Sequence, residues 1–146
     1  MRELGEKNKV IQSQVIEIAR LRKERQREEE ERSRDDLLRG VFLHRDRLAG
    51  LLEDTEDPRS RKGIAAALRS LDEFLATAGI VIEDHPDPHD PLLCRVVGVR
   101  QRTPADPPAG WILRKPAYLK KLNGRQRILK PAEIETLNET RPEGIR

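Results

Sequence analysis

The sequence predicts an α+β protein. Its parts are a long N-terminal coiled-coil helix, a helical hairpin forming a dimeric four-helix bundle, and a small C-terminal β domain. Three observations predict this. No proline interrupts 8–53. A proline-started amphipathic stretch fills 58–78. After Gly79 the pattern turns into short extended runs separated by Pro and Gly turns.

Within 8–53, Ile11, Val15 and Ile18 follow a three-four spacing, with Ala19 and Leu21 beside them. That is a coiled-coil seam. The seam stops at 22–36, RKERQREEEERSRDD, which holds no apolar residue. Its mixed charges recur at helical spacing, and its residues are good helix formers, so a solvated continuous helix is expected rather than disorder. Apolar residues resume at Leu37, Leu38, Val41, Phe42, Leu48, Leu51 and Leu52. A helix with so thin a stripe needs a partner, and a second copy is the simplest one.

The next boundary is a polar loop ending at Asp57-Pro58, an N-cap followed by proline at the first helical position. Ile64, Leu68, Leu71, Phe74, Leu75 and Ala78 form one face of the second helix. Gly79 stands where a left-handed cap belongs. This helix folds back on 37–52 as a hairpin, and two hairpins make a four-helix bundle. The expected interface between copies comprises Ile11, Val15, Ile18, Val41, Leu48, Leu52, Leu68 and Leu71. Beyond it, Ile80-Val81-Ile82 reads as short and extended. Strand-like runs follow at 94–99, 111–114, 126–129 and 133–137, with a hairpin turn at Asn123-Gly124. The expected domains are therefore 8–36, 37–79 and 91–137, with a flexible tail at 138–146.

Composition excludes several classes. The chain has 146 residues, 36% hydrophobic, 3% aromatic and 38% charged, where about 25% charged is usual. One thick core, or a pocket lined by aromatic residues, is not expected. With 29 basic and 26 acidic residues the net charge is +3, a balanced polyampholyte. The single Cys94 fits a reducing compartment. No run approaches a membrane helix, and MRELGEKNKV lacks the apolar segment of a secretory leader. A cytoplasmic protein is expected, with no membrane partner.

The segment 84–90, DHPDPHD, with Cys94 nearby, carries Zn²⁺-type ligands. Three prolines, Pro86, Pro88 and the following Pro91, and the lack of a second Cys/His cluster favour a connector with Asx turns, so no metal and no cofactor are expected. There is no Gly-rich phosphate loop, no zinc signature and no Gly-x-Ser-x-Gly, and the abundant carboxylates read as solvated helix faces. An enzyme is not expected. Arg95, Arg100, Arg102, Arg114, Lys115, Lys120, Lys121, Arg125, Arg127 and Lys130 make the C-terminal region basic. Only Trp111 and Tyr118 could stack on bases, which disfavours nucleic acid as a partner.

Several local patterns carry a resemblance. Asp46, Leu48 and Leu52 lie within 41–52, VFLHRDRLAGLL. Gly63-Ile64 opens the second hairpin helix, and Leu71, Leu75 and Gly79-Ile80 close it. Asp90-Pro91 follows. The end reads Ala117-Tyr118, Leu122-Asn123-Gly124-Arg125 and Pro131-Ala132-Glu133-Ile134. In order and spacing these resemble the GrpE family, nucleotide exchange factors of DnaK-type chaperones, over about 10–137. The resemblance implies a homodimeric co-chaperone that binds the chaperone's nucleotide-binding domain and accelerates ADP release. It implies partner contacts at Gly110, Trp111, Tyr118, Asn123 and Gly124 on the β-domain rim, with Arg20, Arg22 and Lys23 on the long helix. Gly63, Asp90, Pro91 and Pro131 would give structural support. The sequence departs from the family pattern at Leu43, Gly50, Cys94 and Ala117. The alternative is therefore a dimeric coiled-coil adaptor that keeps the fold without exchange activity.

Overall fold

The computed structural model describes residues 2–139, and side chains from Gly5 onward. It is α+β: two helices followed by six strands in two small sheets. Two compact units divide the chain, Met1–Gly40 and Val41–Arg146.

Helix α1 spans Arg2–Asp54 without a break, so the polar stretch 22–36 is helical. From Gly5 to Gly40 most side chains are exposed; Asp35 is buried at 6% exposure, and Glu31 and Leu38 are half-buried. Val10, Ile11, Val15, Ile16, Ile18 and Leu21 are all more than half exposed. What the helix offers locally is helix-forming residues and ion pairs along its own surface. Arg20 bridges Glu17 and Glu24, the latter at 2.8 Å, and Arg39 pairs with Asp36 at 2.9 Å. Such exposed pairs stabilise a helix only slightly.

The second unit starts on the same helix with a different environment. Phe42 is fully buried. At the end of α1 the free carbonyls find partners: the Thr55 hydroxyl donates to Leu51 O at 2.6 Å, and the Arg61 guanidinium donates to Leu52 O and Thr55 O at 2.5 and 2.8 Å. These contacts satisfy groups that a helix end leaves open. Helix α2, Pro58–Thr77, begins as the sequence predicts. The Asp57 carboxylate accepts from Ser60 N at 3.0 Å and from the Ser60 hydroxyl at 2.7 Å, with Pro58 in the first turn. It ends at Gly79, whose φ of 80° is the left-handed conformation that favours glycine.

The strands are β1 (Ile80–Glu83), β2 (Cys94–Gln101), β3 (Trp111–Lys115), β4 (Ala117–Leu122), β5 (Arg125–Lys130) and β6 (Ala132–Asn138). One sheet has the order β1-β4-β5, all antiparallel. The other has the order β2-β6-β3, with β2 parallel and β3 antiparallel to the central β6. The sheets thus begin at Ile80, ahead of the expected start at 91, because Ile80–Glu83 pairs with β4. Strand β4 was not expected from the sequence. The β4–β5 hairpin turns at Asn123-Gly124, with Gly124 at φ 75°.

Phe42, Leu75, Ile80, Tyr118, Leu119 and Leu129 are buried on the helices and the first sheet. A second apolar cluster draws on both sheets: Cys94, Ala132 and Ile134 from β2 and β6 and Ala117 from the start of β4, with Leu93, Trp111 and Leu113 packed against it. Two modest clusters replace one thick core, in keeping with the low aromatic content. Of the expected tail at 138–146, Asn138 ends β6, and 140–146 lie outside the described residues.

Candidate functional site

The densest polar chemistry of the second unit sits where the helical hairpin meets the first sheet. Arg45 and Asp46, consecutive residues of α1, share the Tyr118 hydroxyl, and each adds a partner of its own. The Asp46 side chain is 4% exposed. Its Oδ1 accepts from the Tyr118 hydroxyl at 2.6 Å, and its Oδ2 accepts from Lys130 Nζ at 2.8 Å. Arg45 Nε donates to Asp72 of α2 at 2.6 Å, and its Nη1 donates to the Tyr118 oxygen at 3.4 Å. The Tyr118 ring stacks on Phe42, with centroids 4.0 Å apart and planes 13° from parallel.

One aromatic side chain therefore joins α1 to β4 through both its face and its hydroxyl. Tyr118 is adjacent across the sheet to Lys130, so both Asp46 partners come from one cross-strand pair. A carboxylate this buried is tolerable only when it is paired and hydrogen-bonded. Burial, reinforced by the neighbouring Asp46 carboxylate, holds the Tyr118 hydroxyl well above its usual range, so it remains a donor. Burial works against the Arg45 charge. The Asp72 and Tyr118 hydrogen bonds outweigh it and raise the affinity of Arg45 for its proton. This arrangement can transmit orientation from hairpin to sheet.

The loops on either side of β2 are held by their own hydrogen bonds. Asp90 accepts at its backbone oxygen from Cys94 N at 2.9 Å and at its side chain from Leu92 N at 3.0 Å, so it closes the turn into β2. The Cys94 thiol donates to Asp87 O at 3.2 Å, and burial pushes its ionisation upward. In the loop 103–110, Asp106 accepts from Arg100 at 2.8 and 3.0 Å and from Thr103 N at 2.7 Å. Those contacts, led by Arg100, hold its carboxyl well below the usual range. The Arg102 guanidinium donates to the carbonyls of Pro107, Pro108 and Ala109 at 2.7, 3.3 and 2.7 Å.

The residues expected to meet a partner fall in different places. Arg20, Arg22 and Lys23 are exposed on α1 in the first unit. Gly110, Asn123 and Gly124 are exposed in the second. Trp111 is half-buried against the second apolar cluster. Tyr118 requires a correction: at 0% exposure it cannot lie on a contact rim, because its ring fills the gap beside Phe42 and its hydroxyl serves Asp46. Gly63 requires another. It is exposed, and a Cβ there would meet no atom within 4 Å, so it supports no packing inside the chain. The neighbouring Ile64, about 100° further round the helix, takes the inward position. Asp90 does hold a turn, Pro91 is exposed beside it, and Pro131 joins β5 to β6.

Of the residues expected between copies, Ile11, Val15 and Ile18 are exposed, while Val41, Leu48, Leu52, Leu68 and Leu71 are half-buried. Sequence reasoning singled out Asp46 and Tyr118 separately and missed their bond. The available signal was a lone acid inside the apolar run 41–52, together with the only Tyr of the chain. Among the described residues, no group of three or more His, Cys, Asp or Glu is placed to hold a metal ion, and no helix is long and apolar enough to cross a membrane. No family model, no curated protein and no solved structure matches the chain.

Proposed function

We propose that the chain is a cytoplasmic co-chaperone that binds the nucleotide-binding domain of a DnaK-type chaperone and accelerates release of ADP. The observation that carries this reading is where the GrpE-like residues fall. Asp46 and Tyr118 bond to each other, Asp90 closes the turn into β2, Gly124 makes the β4–β5 turn, and Ala132 is buried in the second cluster. Residues that carry the resemblance are thus residues that hold this fold together.

The mechanism is differential binding, with no bond made or broken. A partner that binds the open, nucleotide-poor chaperone more tightly shifts the equilibrium towards it, by no more than the difference in affinity for the two states. Gly110, Asn123 and Gly124, with Arg20, Arg22 and Lys23, are the contacts assigned to this step. Trp111 contributes only through its exposed part. The protein acts as a homodimer. Exposed Ile11, Val15 and Ile18 supply the seam, and Val41, Leu48, Leu52, Leu68 and Leu71 supply the four-helix bundle.

Stopped-flow release of a fluorescent ADP from the DnaK-type chaperones of the same cell tests the reading. Acceleration is expected, and it should weaken when Arg20, Arg22 and Lys23 are replaced together by Ala. A folded dimer that accelerates none of them would overturn it. The second reading, a dimeric adaptor without exchange activity, is favoured by one observation: Tyr118, expected on the contact rim, is buried. It predicts binding to a chaperone or another protein with an unchanged ADP release rate.

A further inference from the structure

The two sheets expose four edges, and these differ. Strand β1 is four residues long and β3 five. Strand β5 is six residues long and carries Arg125, Arg127 and Lys130, the kind of charge that discourages strand pairing. Strand β2 is the longest edge at eight residues, CRVVGVRQ. It also presents Val96, Val97 and Val99 at 52%, 48% and 62% exposure. A register shift between Val96 and Gly98 divides it, leaving a regular run from Gly98 to Gln101 and a shorter one before Val97. An edge of this kind has free backbone donors and acceptors on one side and β-branched flanks that an added strand would cover.

Charge decides what would cover it. Strand β2 contains two arginines and no acid. A second copy pairing through the same strand would bring arginines towards arginines, which opposes self-association. The acids of the adjacent strand are already engaged. Glu135 pairs with Arg114 and lies 3.6 Å from Arg100, and Glu133 lies 3.4 Å from Lys115. Arg95, exposed and aligned with Glu133 in the register, forms no ion pair among the described residues.

We infer that the free edge of β2 takes an extended acidic peptide with apolar residues at alternate positions, added as a further strand of the β2-β6-β3 sheet. Backbone hydrogen bonds would supply the attachment. The peptide's apolar side chains would cover Val96 and Val99, and an acid would reach Arg95. The inference stands independently of any action on a chaperone.

The test uses the full chain and a short fluorescein-labelled peptide of alternating glutamate and valine, read by fluorescence anisotropy. Two control peptides accompany it: one all glutamate, the other with N-methylated backbone amides. The alternating peptide should bind, and the N-methylated form should bind about tenfold more weakly or worse, about 1.4 kcal/mol. Arg95→Glu should weaken binding about tenfold while leaving the thermal transition unchanged, since the side chain is exposed. Hydrogen exchange should slow in Cys94–Gln101 on binding. Equal binding of the all-glutamate peptide would overturn strand addition. So would protection appearing on Arg125–Lys130 instead, or an affinity unaffected by Arg95→Glu. Protection of Cys94–Gln101 that appears with rising protein concentration and no peptide would assign the edge to a second copy and overturn the acidic peptide.

Discussion

The two ends of α1 obey different physics within one unbroken helix. From Gly5 to Gly40 most of its apolar residues are exposed, Leu38 being half-buried, and Arg20 and Arg39 make ion pairs along the helix surface. From Val41 onward Phe42 is fully buried, and Arg45 and Asp46 bond to α2 and to the first sheet. Helical propensity and charge spacing are enough to write a helix into the first part, but they contribute little free energy. The second part is fixed by burial and paired polar groups. A continuous helix therefore does not imply uniform stability along it.

The largest test of this contrast is Tyr118→Ala. It removes the ring stacked on Phe42 and the Asp46 donor together. A loss of about 3–5 kcal/mol is expected in denaturant unfolding of the second unit. Hydrogen exchange over 5–40 should not change. A parallel loss of protection there would merge the two regions.

A double-mutant cycle resolves the polar part. Tyr118→Phe and Asp46→Asn should each cost about 1–3 kcal/mol. Their effects should fall short of additivity by at least about 0.5 kcal/mol, because each removes one end of the same bond. Additive costs would mean that the hydroxyl and the carboxylate stabilise the joint separately.

A third test is alkaline pH. The raised folded-state Tyr118 ionisation means its contribution is complete below the unfolded value of about 10 and is lost as pH rises above that towards the folded value. The wild-type second unit should melt progressively lower above about pH 10, and Tyr118→Phe should remove that component. A pH profile unchanged by the substitution would show that other groups govern it.

The smallest effect belongs to Arg20→Ala. Helicity of the first unit should fall slightly by circular dichroism, with no change in the transition of the second. Salt should mimic the substitution, since exposed pairs are screened.

How much of this was legible depended on how local each signal was. Helix α2 could be read because Asp57, Pro58 and Gly79 mark its ends within a few residues. The helix through 22–36 could be read because its charges lie on a helical period. Strand β4 was not legible. Its first three residues, Ala117, Tyr118 and Leu119, are all buried, which removes the alternation a half-exposed strand normally shows. The parallel pairing of β2 with β6 joins segments far apart in sequence and has no turn to announce it. The same distance hid the joint: Asp46 and Tyr118 are 72 positions apart, and nothing in either neighbourhood specifies the other. Gly63 and the Tyr118 rim were misplaced because a family-like motif marks a position without stating which side of the element it occupies.

The Arg102 clamp has a consequence for proteolysis. The loop 103–110 is exposed except for the half-buried Asp106, and such a segment is ordinarily where a protease cuts first. Cleavage requires the chain to straighten into a protease cleft and surrender its carbonyls to the enzyme. Here the carbonyls of Pro107, Pro108 and Ala109 are already held by one guanidinium, and both prolines lack an amide hydrogen to offer. An exposed loop can thus be a poor substrate, and nicking should begin elsewhere on the surface while this one stays whole.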